Sequence, residues 1–499
     1  MKPDPGKIII IGGGIAGLCA GVYARRLGYA VQVFEKHTTP GGLATSWRRD
    51  DYTFETCLHW LVGSGPGGTL HARWQEVCDI ERLKFIDADE FVRVESERGD
   101  CLHIYSDIDR LERELLDKAP QDAAEIRRLA ATVRRFARMD LPESTESWRG
   151  NLRSLLRVLP DLPALRRWSG ITSAEYGQRF THPLLRSFFG SGEMGQLSVI
   201  AVLFSLAWMS VRNAGYPVGG SKAVIGLIAE NLARLGGHLR LGSEVQSVLV
   251  ERDSAVGVRL AGGATELGDW VISAADGHHT IYELLGGRYR GPSIDRIYDR
   301  LTTFPSYVQV SLGIAKDLSE LPGFLTRVLG RPVRVDPMTE LGQASFRFFH
   351  YDPTFAPPGK TAVTCTLPTR SFDHWVGLRE KDPAAYQAEK DAVAERIVAI
   401  LEQIVPGVRT AIEVVDVATP ASVVRYTGNW KGSMEGWLLT PATGFRPLPR
   451  TLPGLQQFLM IGQWVMPGGG LPSGLMTARA AMQAICRHDR EVFAVPSAA

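Results

Sequence analysis

Gly12, Gly14 and Gly17 stand at the spacing G-x-G-x-x-G, directly after the β-branched run Ile8, Ile9, Ile10, Ile11. Glu35 then falls close to the ~20-residue spacing at which an acid meets a ribose in dinucleotide-binding chains. Each residue type has a physical task. Gly12 permits a tight turn, Gly14 lets backbone approach a pyrophosphate, and Gly17 lets a helix pack closely on a strand. A helix opened by Ile15 and Ala16 offers unpaired N–H groups and a partial positive charge to phosphate. An acid at Glu35, followed by Lys36, suits a free ribose and repels a 2′-phosphate. A second pair, Gly41 and Gly42, with Leu43 and Thr45 behind it, exceeds what a nicotinamide dinucleotide needs.

The elements that must hold these residues are a strand over 7–11, a helix over 15–27 stopped by Gly28, and a strand over 29–34. A second glycine group lies near the other end of the chain. A buried strand over 458–461 leads to Gly462 and Gln463, and a turn over 467–472 contains Gly470, Leu471 and Pro472. Ser473 is placed to cap a helix over 474–487. The N-terminus of such a helix stabilises negative charge on a bound group.

IIIIGGGIAGL, VFEK and PGGLATSWRRDDYTFETCLHW, together with GGSKAVIGLIAENLARLGGHLRLGSEVQSV, YDPTFAPPGK and LMIGQWVMPGGGLPSGLMTARAAMQAI, resemble the phytoene desaturase, carotenoid isomerase and retinol saturase group of flavoproteins. The likeness runs from end to end and is weakest in the middle. It implies an α/β chain with a Rossmann-type, glutathione-reductase-like FAD-binding domain and an inserted α+β substrate domain on a mixed sheet. It implies FAD, with Val245 touching adenine by its backbone and His59 and Trp60 near the flavin ring. Gly462, Gln463, Gly470, Leu471 and Pro472 would surround the ring and ribityl chain. Many members carry an acid near the position of Gln463. The C-terminal stretch of the motif contains no cysteine beside the turn, so non-covalent FAD is expected.

The remaining chain fits two discontinuous domains. The FAD-binding domain is expected over 1–75, 219–290 and 451–499, and the substrate domain over 76–218 and 291–450. Strands are expected over 91–95, 101–105, 239–241, 244–250, 255–260, 265–272, 307–313, 344–350, 361–367 and 412–417. Helices are expected over 108–116, 121–138 and 384–404. Residues 149–168 interleave five arginines with leucines, a basic amphipathic pattern that can lie in a membrane interface. A surface helix pair broken at Pro160 and Pro163 is the plainer reading.

Of the 499 residues, 44% are hydrophobic and 22% charged, enough for sizeable cores. A net charge of +2 argues against nucleic acid as a partner. The six cysteines are scattered with no C-x-x-C, which points to a reducing, cytoplasmic setting and no metal. No apolar run reaches the length of a membrane span, and 197–209 reads as a buried helix.

These features point to a flavoenzyme that adds or removes hydrogen across carbon–carbon bonds of a hydrophobic small molecule, isoprenoid or polyene-like, with desaturation favoured. An amine or amino-acid oxidase on the same fold is the alternative, with Arg347 or Arg425 available for a carboxylate. The catalytic candidates are His59, Tyr426 and Lys431, the last two in a stretch (426–437) that resembles the family's loop across the active site. His350 and Tyr351 are further candidates, and for any single His or Tyr a structural role is commoner.

Overall fold

The computed structural model describes residues 6–139, 156, 159–190, 192–444 and 447–495. Its centre is β1 (Lys7–Ile11), whose four isoleucines are 0–5% exposed. Branched side chains suit a strand covered on both faces. β1 runs parallel to β2 (Ala30–Phe34) on one side and to Trp270–Ser273 on the other. His238–Arg240 and Phe458–Met460 complete the five-stranded parallel sheet at its two edges. Three distant stretches of chain therefore build one Rossmann-type layer.

α1 (Ile15–Arg26) follows the first glycine turn and packs on the C-terminal helix Gly470–Asp489. Leu18, Val22, Val33, Ile228, Leu475 and Met482 form part of the core between helices and sheet. At roughly 1.5–3 kcal/mol for each fully buried aliphatic side chain, this contact dominates the docking of the two helices. The antiparallel strands Val245–Glu251, Ser254–Leu260 and Thr265–Leu267 form a small flanking sheet.

A second large sheet has seven strands. Their order is Ile412–Ala418, Ser306–Ile314, Thr361–Thr369, Thr339–Phe348, Phe324–Asp336, Glu90–Ser96, Cys101–Tyr105. All neighbours are antiparallel except Phe324–Asp336 with Glu90–Ser96, so the sheet is mixed, as the sequence implied. One face carries Val308, Val310, Phe346, Phe348, Val363 and Cys365 beneath the long helix Pro383–Ile404. The other face carries Gln309 and Ser311, both fully buried, and Gln309 Nε2 donates to the carbonyl of Glu55 at 3.2 Å.

Three differences from the sequence reading have physical causes. The strand Phe324–Asp336 was not anticipated; it contains Gly330 and Pro332, residue types that disfavour strands, and the structure accommodates them in a register shift between Val328 and Val333. The expected strand over 265–272 is two strands belonging to two sheets, turned at Gly268. The C-terminal helix begins at Gly470, and Ser473 Oγ donates to the Gly470 carbonyl at 2.8 Å, so Ser473 lies inside the first turn and caps nothing. Of the basic stretch 149–168, residues 149–155 and 157–158 lie outside the described residues. In the rest, Leu162–Ser169 is a helix whose Trp168 enters a core, with Arg166 and Arg167 outward and Leu156 and Leu159 exposed. Among the described residues no helix is long and apolar enough to cross a membrane.

Candidate functional site

At the end of β1 the chain turns through Gly12, whose N–H donates to the Phe34 carbonyl at 2.8 Å and whose φ is +98°, a left-handed conformation that favours glycine. Gly13 N–H then donates to Glu35 Oε2 at 2.7 Å, and His37 N–H donates to Glu35 Oε1 at 2.8 Å. Glu35 is buried and fastens the glycine turn to the end of β2. Gly14 caps α1 without any side-chain hydrogen bond, and no acid occupies the first turn, so the helix N-terminus keeps its positive end open. A Cβ on Gly17 would lie 1.9 Å from the Gly12 carbonyl oxygen, which explains why no side chain fits there. The second glycine pair folds onto the first turn, with Gly41 N–H donating to the Gly13 carbonyl at 2.9 Å.

These turns border a cavity of about 720 Å³, within the ~300–1,000 Å³ usual for a cofactor site. Gly12, Gly14, Ile15, Ala16, Glu35, Lys36, Gly41, Gly42, Leu43, Thr45, Val245, Gly462, Gln463, Gly470 and Leu471 all lie on its wall. The structure thus gathers the sequence candidates from four separate stretches around one space. Gly17 sits behind the wall, against Gly12. The C-terminal helix also opens onto the cavity. Its cap, Gly469, has no side-chain bond and its first turn has no acid, so two helix N-termini converge on one space. Gly462 N–H donates to Thr477 Oγ1 at 2.9 Å, which holds the preceding strand against this helix.

His59, Trp60, Pro472 and Lys431 are not on the wall. Lys431 is an exposed residue in a left-handed turn (φ +54°), with its Nζ 4.3 Å from the Trp430 ring centroid, so it does not reach the cavity. Pro472 lies within the first turn of the C-terminal helix, whose Leu471 is the residue on the wall. His59 lies next to the wall residues Thr56 and Cys57, and its Nε2 is 3.2 Å from the Thr56 carbonyl. Burial, with Arg347 nearby, holds its pKa well below the usual histidine range, so His59 is neutral. Tyr426 does line the cavity, but at its rim: it is 45% exposed and packs edge-on to His37 beside the end of β2.

Three wall residues escaped the sequence reading. Glu435 is enclosed by protein and faces the cavity, and burial pushes its carboxyl up to about 7. Gly469 packs against it, since a Cβ there would lie 2.5 Å from Glu435 Cβ. Asp276 is pushed to about 6 by burial, although the N–H groups of His279 and Trp430 both donate to it at 2.8 Å. Asn429 Oδ1 accepts from Gln463 Nε2 and from Trp464 Nε1, each at 3.1 Å, and so anchors the 426–437 loop to the end of the parallel sheet. The neutral Gln463 is thus committed to a protein partner through its amide nitrogen. Cys57, also on the wall, is a thiol whose pKa burial raises far above its ordinary value.

A parallel Rossmann-type sheet, two interlocked glycine turns and a second helix N-terminus on the same cavity define a dinucleotide-cofactor oxidoreductase. The chain belongs to the family of flavin containing amine oxidoreductases, whose model matches residues 15–486, and its cofactor is FAD. It is 25% identical over 495 residues to a chloroplastic prolycopene isomerase of Arabidopsis thaliana, covering 94% of this chain and 81% of that one. It is 24% identical over 505 residues to a lycopene-forming phytoene desaturase of Paracoccus sp., covering 97% of each. These relatives uphold the resemblance to the desaturase and isomerase group. An oxidoreductase structure from Methanosarcina mazei has the same fold, with a TM-score of 0.61 at 18% identity, over 96% of this chain and 100% of that one.

Proposed function

We propose that this enzyme uses FAD to remove hydrogen across a carbon–carbon bond of an apolar, isoprenoid or polyene-like molecule. The observation that carries the reading is a run of rings beside the cavity wall. His59, neutral, meets Trp60 at 6.2 Å between ring centroids, Trp60 meets Phe91 at 5.4 Å, and Phe91 meets Phe324 at 6.3 Å. All four are partly exposed, and together they present an apolar surface that would suit an extended hydrocarbon. The names of the relatives, prolycopene isomerase and phytoene desaturase, support the same substrate class.

The residues present suit FAD. The Gly12–Gly14 turn and Gly41 would hold the diphosphate against α1, Glu35 would meet the ribose, and Val245 would flank adenine. The N-terminus of Gly470–Asp489 would face the ring. The thiol form of Cys57 agrees with non-covalent attachment. Bound FAD supplies two-electron chemistry as a hydride acceptor. The protein supplies positioning, exclusion of water by Trp60 and Phe91, and a carboxyl at Glu435 that can take up a proton near neutral pH. The hydride and the proton together account for the two hydrogens lost.

Incubation of the FAD-loaded enzyme with phytoene should give products lighter by pairs of hydrogens and absorbing at longer wavelength. Isomerised polyene of unchanged mass, formed only with reduced flavin, would replace desaturation with isomerisation. Turnover of amines alone, with peroxide release, would establish the oxidase alternative.

A further inference from the structure

We propose that Arg347 binds a carboxylate at the end of the substrate, so that the preferred substrate is a polyene or isoprenoid acid; this rests on the reading of the site as a flavin chamber for an apolar molecule. Arg347 lies in the strand Thr339–Phe348, opposite Phe324 on one side and Thr364 on the other. Side chains alternate along that strand. Ala344, Phe346 and Phe348 enter the apolar core under the long helix, and Arg347 points to the opposite face. There its guanidinium carbon sits 4.0 Å from the centroid of the Phe324 ring, the last ring of the run that starts at His59.

This cation has no anionic partner among the described residues. Its Nε is buried and makes no hydrogen bond. Its polar neighbour is Tyr351, a phenol whose pKa is itself pushed up to about 12. The acids in the vicinity are committed elsewhere. Glu55 accepts from Ser221 N and Oγ and from the N–H groups of Cys57 and Leu58. Asp352 accepts from Tyr216 Oη, Gly219 N and Thr354. An enclosed guanidinium with a phenol but no anion beside it costs the folded chain free energy, which an incoming anion would recover. Burial accordingly lowers the Arg347 pKa to about 10 and, through repulsion, helps keep His59 neutral.

The geometry therefore combines an apolar, ring-lined wall with one planar, fork-shaped cation at its edge. That pairing selects a molecule with a hydrocarbon body and a carboxylate head, because guanidinium and carboxylate match in two parallel hydrogen bonds. A neutral hydrocarbon would leave the cation uncompensated, and an amine would be repelled by it.

The test titrates the FAD-loaded enzyme with all-trans-retinoic acid and with its methyl ester, reading the flavin visible spectrum and the quenching of tryptophan fluorescence. The acid should bind at least tenfold more tightly than the ester, the range expected for a charge-assisted pair. Arg347→Met should abolish that preference and leave ester affinity unchanged, and Arg347→Lys should restore only part of it. Arg347→Met should also be no less heat-stable than the wild type without ligand, where a purely structural arginine would be missed. Equal binding of acid and ester by the wild type, or a preference that survives Arg347→Met, would overturn the proposal; the first comparison needs no variant to fold. Turnover of a polyene hydrocarbon with no preference for the acid would sink the carboxylate site and leave carbon–carbon chemistry standing. Turnover of amines alone would remove the carbon–carbon reading, and an acid preference lost in Arg347→Met would still support the site.

Discussion

Replacing Glu435 by glutamine isolates one buried titration. Enclosure raises the Glu435 carboxyl from 4.5 to about 7. The native chain then binds this proton more tightly than the unfolded chain does. Its contribution is most favourable below the unfolded value, declines as pH rises through the window between the two values, and is constant above it. The whole decline amounts to about 3 kcal/mol, an upper figure because solvent in the cavity screens part of it. Glu435→Gln removes the titration and keeps the shape of the side chain. Subtracting variant from wild type cancels every other group, Asp276 included. Between pH 5 and pH 8 the variant should gain about 2–3 kcal/mol relative to the wild type. With an unfolding entropy of about 2 cal/mol/K per residue, a chain of this length converts that into a Tm gain of about 2–3 °C. The assay is thermal melting of flavin-free protein at the two pH values, because a bound cofactor shifts Tm by mass action. A difference that stays flat with pH, or that grows in favour of the wild type, would refute the argument that Glu435 is an enclosed acid.

The same variant in the FAD-loaded enzyme should lose about 10²–10⁴ in turnover if Glu435 accepts the substrate proton, and the wild-type rate should rise with pH through about 7; a flat profile with full activity in Glu435→Gln would dismiss it. Gly17→Ala puts a Cβ 1.9 Å from the Gly12 oxygen and should yield colourless protein, read as the flavin-to-protein absorbance ratio. Glu35→Ala removes the acceptor of two backbone N–H groups and should weaken FAD retention by tenfold or more, measured by dialysis against free FAD; at about 1–3 kcal/mol for each stranded donor, smaller losses would mean the loop is held by other contacts. Lys431→Ala, an exposed residue off the cavity wall, should leave turnover within about twofold of wild type, a margin set by the small free energies of surface substitutions.

The dinucleotide unit was legible because its signals are local. Four consecutive isoleucines, a glycine turn, an apolar helix and an acid follow one another within one stretch, and no distant residue is needed to interpret them. The strand Phe324–Asp336 was hidden for the opposite reason. Gly330 and Pro332 argue against a strand, and what overrides them is pairing with Thr339–Phe348 and, across more than two hundred residues, with Glu90–Ser96. Glu435 was equally invisible. Its proton affinity comes from enclosure by segments remote in sequence, and an acid between Met434 and Gly436 carries no mark of that in the sequence. Lys431 and Tyr426 were drawn into the candidate set by the family loop, while the backbone conformation that sends Lys431 outward is a property of the folded turn. Arg347 was legible as one of two arginines available for a carboxylate; that it has no acid partner appears only when Glu55 and Asp352 are seen satisfying other donors.

The most direct test of the central claim is anaerobic. FAD-loaded enzyme is mixed with an apolar polyene such as phytoene, and separately with primary amines, while the flavin absorbance near its visible maximum is followed. Bleaching by the polyene, with none by the amines, is the predicted result. Bleaching by an amine, with the polyene inert toward both oxidised and dithionite-reduced flavin, would contradict the account.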